Sequence, residues 1–264
     1  MATLSVVVIT RNEQDNLGPC LESVPFADEI VIVDDESEDA TLQIARRYTD
    51  RVFHRKLDRF GRQKQFAIEQ ATCDWILVLD ADERLTPELA EEIRAALQQD
   101  DGAVDGYFMR RRTWLHGQAV TFSGWYKCCH LRLFRSGRAR YVDRRVHEYP
   151  ELEDASRSAK LLHPIEHYTY ASDAAFVAKL ERYSRLAALD WYDAGRRAHW
   201  LTAPWYFAIV PAAAWIREYV VQKGYRGGRI GLRIATMSAR ADLMTARQLW
   251  RLKRISRPRR AGSV

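Results

Sequence analysis

Apolar runs that stop abruptly at polar clusters set the pattern of the first hundred positions. Residues 4–9 form a short β-branched run that gives way to Thr10-Arg11-Asn12-Glu13, the way a strand buried on both faces ends at a functional loop. Residues 29–33 stop at Asp34-Asp35-Glu36-Ser37-Glu38-Asp39, and residues 75–79, the strongest strand, stop at Asp80-Ala81-Asp82-Glu83. Between them, residues 16–23, 41–48 and 63–71 read as helices, with Leu42, Ile44 and Ala45 turned inward, and Val52-Phe53-His54 as a weak strand. Thr86, Pro87 and Glu88 open a further helix, with Thr86 as its N-cap and Pro87 at its first position. This alternation predicts a mostly parallel sheet covered on both faces, its strand C-termini lining one crevice.

From Gly106 the texture changes to short strand-like pieces punctuated by Gly117, Gly124 and Gly137, a β-rich continuation of the same domain. Residues 174–192 form an amphipathic helix with Phe176, Leu180, Tyr183 and Ala187 on its apolar stripe. Residues 200–216 carry no charge and approach the length of a membrane span. Pro204 and Pro211 interrupt them and basic residues follow, which favours a core or interfacial helix. The expected organisation is a catalytic domain over 1–170, with 1–105 and 106–170 as its two parts, and a helical extension over 171–264. That extension is assigned to a membrane surface or an oligomer contact.

Of the 264 residues 47% are apolar and 29% charged, which excludes a disordered chain and a stack of spans. Cys20, Cys73, Cys128 and Cys129 are too few and too irregular for a disulfide framework or a zinc site, so a reducing, cytoplasmic interior is expected. The start of the chain lacks the basic flank of a secretory signal. Charge is divided unevenly: residues 1–105 hold 11 Lys/Arg against 23 Asp/Glu, and residues 106–264 hold 30 against 12. The division suggests that the two parts face different partners. The last 70 residues have 15 Lys/Arg, 2 acids and four tryptophans, which suits an anionic surface.

Acids just beyond buried strands occur twice, as Asp34-Asp35 and Asp80-Ala81-Asp82. Such placement carries desolvation and mutual repulsion, which a divalent cation or a ring of donors relieves. An Asp-x-Asp leaving a strand aims both carboxylates at one opening, where they can hold Mg²⁺ or Mn²⁺ with positions left for phosphate oxygens. A nucleotide diphosphate is the ligand such a site would take.

The segments Ser5 to Glu13, Ile30 to Ser37 and Trp75 to Glu83 together resemble a family 2 glycosyltransferase. The resemblance implies an α/β, GT-A nucleotide-diphospho-sugar transferase fold: a mostly parallel, Rossmann-like sheet with flanking helices, here followed by a helical, basic C-terminal extension. Within the family the chain most resembles the lipopolysaccharide-core β-1,4-glucosyltransferase type. Phe60-Gly61-Arg62-Gln63-Lys64-Gln65, Leu131 to Arg135 and Val146-His147-Glu148 carry that closer likeness. It implies that Thr10, Arg11 and Glu13 line the nucleotide pocket, that Asp34 accepts a hydrogen bond from uracil, and that Asp80 approaches ribose or metal beside Ala81. Asp82 would bind the metal, and Lys64 would face the diphosphate where the family has Arg. Lys there lacks the bidentate fork. Glu83 is open between supporting the site and starting a helix.

An inverting transfer needs a base for the acceptor hydroxyl, and the resemblance points to Glu148, with Asp143 in reserve. His147, on the acceptor side, is open between a hydrogen-bonding orienter and a satisfied loop histidine, and Trp125 and Tyr126 would stack on a sugar ring or serve the core. Arg110, Arg111 and Arg112 cannot all face one way on a strand; at least one is expected toward a phosphate-bearing acceptor, the others toward solvent. Lys223 to Gly228 departs from the family pattern, since Gly227 stands where an Asp is common, and it receives no catalytic role. The expected partners are a UDP-sugar, a lipopolysaccharide-core acceptor and the inner face of an anionic membrane. A polyprenyl phosphate or an exopolysaccharide is the alternative acceptor. Nucleic-acid binding by the basic tail is the reading from another class, weakened by the acidic front half.

Overall fold

The computed structural model describes residues 2–115, 117–122, 126, 129–143, 148–170 and 173–255. Four parallel strands, β1 (Leu4–Thr10), β2 (Glu29–Asp34), β3 (Val52–His54) and β4 (Trp75–Asp80), stand in the order β3-β2-β1-β4. Helices α1 (Leu17–Glu22), α2 (Thr41–Ala45) and α3 (Phe60–Glu69) connect them. Val6, Val7, Val8, Leu77, Val78 and Leu79 are fully buried, so side chains on both faces of these strands lie in core. Each such side chain contributes roughly 1.5–3 kcal/mol by its burial, and that demand is why the runs are unbroken in sequence.

After β5 (Glu83–Leu85) comes α4 (Pro87–Gln98), where the Thr86 hydroxyl accepts the Leu89 N–H at 3.1 Å and Pro87 occupies the first helical position. The sheet then turns antiparallel. β8 (Cys129–Arg135) pairs with β4, β6 (Gly106–Leu115) pairs with β8, and β12 (Ile165–Tyr170) pairs with β5. β7 (Gln118–Val120) and β11 (Ser158–Lys160) attach to β6, while β9 (Ala139–Tyr141) and β10 (Pro150–Leu152) form a separate ribbon. Gly106 starts β6 where a Cβ would come within 2.8–2.9 Å of the side-chain tips of Leu131 and Leu152, so a larger residue there would make those leucines shift.

The chain divides into two compact units, the first running to Thr169 and the second from Tyr170 onward with Phe122. The second holds α5 (Asp173–Asp193), α6 (Val210–Ile216) and α7 (Gly228–Ile255). Its small core gathers Ala188, Ala198, Tyr206, Ala246 and Leu249. Among the described side chains of α5 the buried ones are Ser184 and Ala188, one residue on from the expected Tyr183 and Ala187, which are half-buried, while the side chain of the expected Phe176 lies outside the described residues. Small side chains let α5 and α7 approach closely, and the Ser184 hydroxyl lies 3.5 Å from the Ala241 carbonyl. No helix among the described residues is long and apolar enough to cross a membrane.

Candidate active site

Parallel pairing brings the ends of β1, β2 and β4 side by side, with Thr10 opposite Asp34 and Ile9 opposite Asp80. The loops that follow are stitched together. Asn12 N–H donates to Ser37 Oγ, Glu38 N–H to Asn12 Oδ1, and Glu13 N–H to Thr41 Oγ1. Asn12 and Glu36 adopt left-handed backbone (φ 53° and 54°), a strained state for a non-glycine residue that the surrounding bonds hold in place. Arg11 reaches Asp35 at 3.0 Å, and Glu13 accepts from the Asn16 amide. Asp34 is enclosed, its carboxylate accepting the Ser37 N–H at 2.9 Å and the Ser37 hydroxyl at 2.5 Å. Beside it the Thr10 hydroxyl is buried with no hydrogen-bond partner, an orphan at the mouth of the crevice.

The Asp-x-Asp turn is built around charge pairs. Lys64 of α3 is 5% exposed, and its Nζ lies 2.8 Å from Asp80 Oδ1 and 2.8 Å from Glu148 Oε1. It is therefore not a solvated helix residue but the link between two acids. Arg132 of β8, equally buried, sends Nη2 to Asp80 at 3.1 Å and to Glu83 at 2.7 Å. Glu83 also accepts the Asp80 N–H at 2.9 Å, and Arg111 approaches it at 3.5 Å. Glu83 thus fastens the turn rather than starting α4. Ala81 is buried between the two aspartates.

These pairs decide protonation. Burial alone would push the Asp80 carboxyl up, but Lys64 and Arg132 outweigh it and hold Asp80 well below the usual carboxylate range. Burial would likewise lower Lys64 and Arg132, and their carboxylates hold both above their ordinary values. Burial, with repulsion from Arg132 and Arg111, pushes His130 down to about 3, so that imidazole is neutral at physiological pH. The Tyr141 phenol, whose ring faces Lys64 Nζ at 5.9 Å, rises to about 12 through burial.

Asp82 is met from another strand. Its carboxylate is nearly buried and faces His167 Nε2 of β12 at 3.4 Å, while His167 Nδ1 lies 3.3 Å from Thr113 Oγ1. A carboxylate oxygen and an imidazole nitrogen braced from behind form a two-donor set suited to a divalent ion that takes further ligands from a diphosphate. Among the described residues no group of three or more His, Cys, Asp or Glu side chains is arranged to hold a metal.

The other expected residues fall in different places. Asp143 is 46% exposed and bridged to Arg62 at 3.0 Å and Arg59 at 3.6 Å. Tyr126 lies with the Arg110 guanidinium 5.9 Å from its ring. Trp125 and His147 lie outside the described residues. The expectation of solvated arginines after Met109 is corrected: Arg111 faces Glu83, and Arg112 binds Glu166, to which the Trp114 indole also donates. Alternation along β6 sends 111 to one face and 110 and 112 to the other. Arg132 and His167 have no role assigned from the sequence, whereas Glu83 is open there between supporting the site and starting a helix. Arg132 had a visible signal, a cation inside the apolar run Leu131 to Phe134, since a buried arginine needs a partner.

Comparison with known proteins adds three findings. The profile of the family described as Glycosyl transferase family 2 matches residues 5–150. The chain is 32% identical over 258 residues to the lipopolysaccharide core biosynthesis glycosyltransferase LpsC of Rhizobium meliloti, covering 94% of this chain and 92% of that one. Among solved structures, S. aureus TarS residues 1–349 in complex with UDP has a TM-score of 0.50 at 17% identity, over 99% of this chain and 94% of that one, a likeness of fold.

Proposed function

This chain belongs to glycosyl transferase family 2 and is a glycosyltransferase of GT-A fold, and we propose that it transfers a hexose, glucose first, from a UDP-sugar to a lipopolysaccharide inner-core saccharide. The acceptor class is supported by likeness to LpsC along nearly the whole chain. The observation that carries the chemistry is the meeting of Asp80 and Glu148, distant in sequence, on the Lys64 ammonium. It brings an acid from beyond the Asp-x-Asp turn to the crevice where a sugar diphosphate would lie.

In this reading the acceptor hydroxyl attacks the anomeric carbon opposite the departing diphosphate, and the configuration inverts. Glu148 takes the hydroxyl proton. Lys64 holds its carboxylate at 2.8 Å, and transfer of Lys64 toward the diphosphate would free it to act. Asp143, spent on two arginines at the surface, is the weaker candidate. Thr10, with its orphan hydroxyl, and Arg11 bind the nucleotide, while Asp34 holds the loop that receives it. Asp82 and His167 would hold the divalent ion, and its nitrogen donor suits Mn²⁺ better than Mg²⁺, which prefers oxygen. The ion would supply positive charge to the leaving diphosphate.

The test is a donor screen. Purified protein with Mn²⁺ is offered UDP-glucose, UDP-galactose, UDP-N-acetylglucosamine and GDP-mannose, with and without deacylated inner-core oligosaccharide. Nucleoside diphosphate release that requires both UDP-glucose and the oligosaccharide is the expected result. Release from GDP-mannose alone, or equal release without acceptor, would overturn the donor or the acceptor assignment.

A further inference from the structure

Exposed apolar surface is concentrated in one stretch of the second unit. Nine of the eleven large hydrophobic side chains that stand exposed among the described residues fall between positions 200 and 232. The chain is helical from 203 to 221, with wide π-type turns at Trp205–Ile209 and Arg217–Val221 on either side of α6. Tyr206, Pro211, Ala214 and Glu218 recur on one face and are buried. Trp205, Ile209, Ile216 and Val220 recur on another and are 50–55% exposed, with exposed Ala212 and Ala213 between them. A helix that buries its small and aromatic side chains and shows a row of large ones to solvent is amphipathic in a sense that its own unit does not satisfy.

Charge says what covers that row. Arg217, Lys223, Arg226 and Arg229 are exposed along the same stretch. Its one acid, Glu218, is 5% exposed and lies 3.4 Å from Arg217. The accessible charge beside the apolar row is thus of a single sign. A second copy of the chain would set these cations against their own kind about a two-fold axis, whereas an anionic bilayer offers phosphates to them and hydrocarbon to the row. Trp200, 75% exposed, and Trp205 at one end and Tyr225 at the other are the residue types that settle at the headgroup boundary.

We propose that this face of the second unit is where the protein lies on an anionic membrane, with Trp205, Ile209, Ile216 and Val220 sunk to the acyl boundary and Arg217, Lys223, Arg226 and Arg229 on lipid phosphates. The docking surface so proposed is the helical row and its flanking cations. It is independent of the site chemistry proposed above.

The test uses the full chain and floats it with vesicles of phosphatidylcholine, with and without phosphatidylglycerol, at low and high salt. Wild type should float with the anionic vesicles at low salt and partly release at high salt. Trp205→Ser, Ile209→Ser, Ile216→Ser and Val220→Ser combined should lower partitioning by about tenfold or more, as should Arg226→Glu with Arg229→Glu. Both variants should keep the wild-type melting temperature and donor turnover on a water-soluble acceptor, which separates failure of docking from failure of the enzyme reading. Quenching of wild-type tryptophan emission by brominated anionic lipid, reduced in Trp200→Phe with Trp205→Phe, reads the same contact without removing the row. Equal binding to neutral and anionic vesicles, undiminished flotation of the variants, or no quenching would overturn the proposal. So would a wild-type dimer that the four serines convert to monomer, which would give the row to a second copy.

Discussion

Replacing Lys64 by methionine removes one ammonium from between two acids and keeps most of the side-chain volume. At 2.8 Å and an effective dielectric near 20, each pair is worth about 6 kcal/mol of Coulomb energy before desolvation is counted. Desolvation offsets much of this, and breaking a buried pair by removing one partner costs roughly 3–5 kcal/mol. Asp80 keeps Arg132 at 3.1 Å, so the loss falls mainly on Glu148, and about 3 kcal/mol at pH 7 is expected. The pH dependence is the sharper signature. In the wild type, Asp80 is held below its unfolded value, so its contribution is present above the ordinary carboxylate range and lost as pH falls through the folded value. Lys64 is held above its unfolded value, so its contribution is complete below the ordinary lysine range and lost only at higher pH. Between pH 5 and 8 neither group changes the wild-type stability. In Lys64→Met an uncompensated buried carboxyl rises above its unfolded value, the native state binds the extra proton, and stability increases as pH falls, approaching about 1.4 kcal/mol per pH unit. Urea unfolding followed by tryptophan fluorescence at pH 5, 6, 7 and 8 measures both curves. Parallel curves for the two proteins, or a loss below about 1 kcal/mol at pH 7, would refute the ion-pair account.

Glu148→Gln should lower kcat by about 10²-fold or more with donor affinity nearly intact, while Asp143→Asn changes kcat by only a few fold. Steady-state kinetics with saturating donor separates them, and the reverse order would move the base to Asp143. Asp82→Asn and His167→Ala should each weaken Mn²⁺ binding in the presence of UDP by about tenfold or more, measured by calorimetry; unchanged affinity in both would remove the ion from this pair. Arg132→Met takes the shared cation from Asp80 and Glu83 and should cost about 3–5 kcal/mol in thermal or urea unfolding, and a loss within the range of a surface substitution would show that the turn holds without it.

The parts of the fold that were legible in the sequence are those where one local demand dominates. β1, β2 and β4 had to be apolar on both faces, and acids at their ends marked the crevice before any contact was known. The start of α3 was less legible, since Phe60 begins it after an extended Arg59 whose side chain makes no cap, leaving no signal three residues ahead of the expected Gln63. The stripe of α5 was displaced because Ser184 reads as polar, yet its small side chain is what close helix packing selects. At the site, Asp80 and Lys64 could be nominated one at a time from local motifs and resemblance. The place of Arg132 in their arrangement depends on β8 lying beside β4, an antiparallel pairing that no spacing along the chain announces.

The uneven charge of the chain has its explanation in that same pairing. The acidic first part and the basic later part were expected to face different partners, but within the first unit they largely face each other. Arg132 and Arg111 come from the basic part to Asp80 and Glu83, Arg135 binds Asp100 at 2.6 Å, and Arg157 binds Asp105 at 2.6 Å. With Lys64, the inner cluster sets three cations against Asp80, Glu83 and Glu148, so the acids at the crevice hold their geometry through the chain's own donors. Internal pairing therefore accounts for Arg111 and Arg112 of β6, for Arg132 and Arg135 of β8 and for Arg157. It does not reach the exposed Lys223, Arg226 and Arg229, which follow an apolar row in a stretch whose only acid is buried. The positive charge that calls for an outside partner is carried by the second unit, along the same stretch as its exposed row, while the first unit keeps an excess of acids.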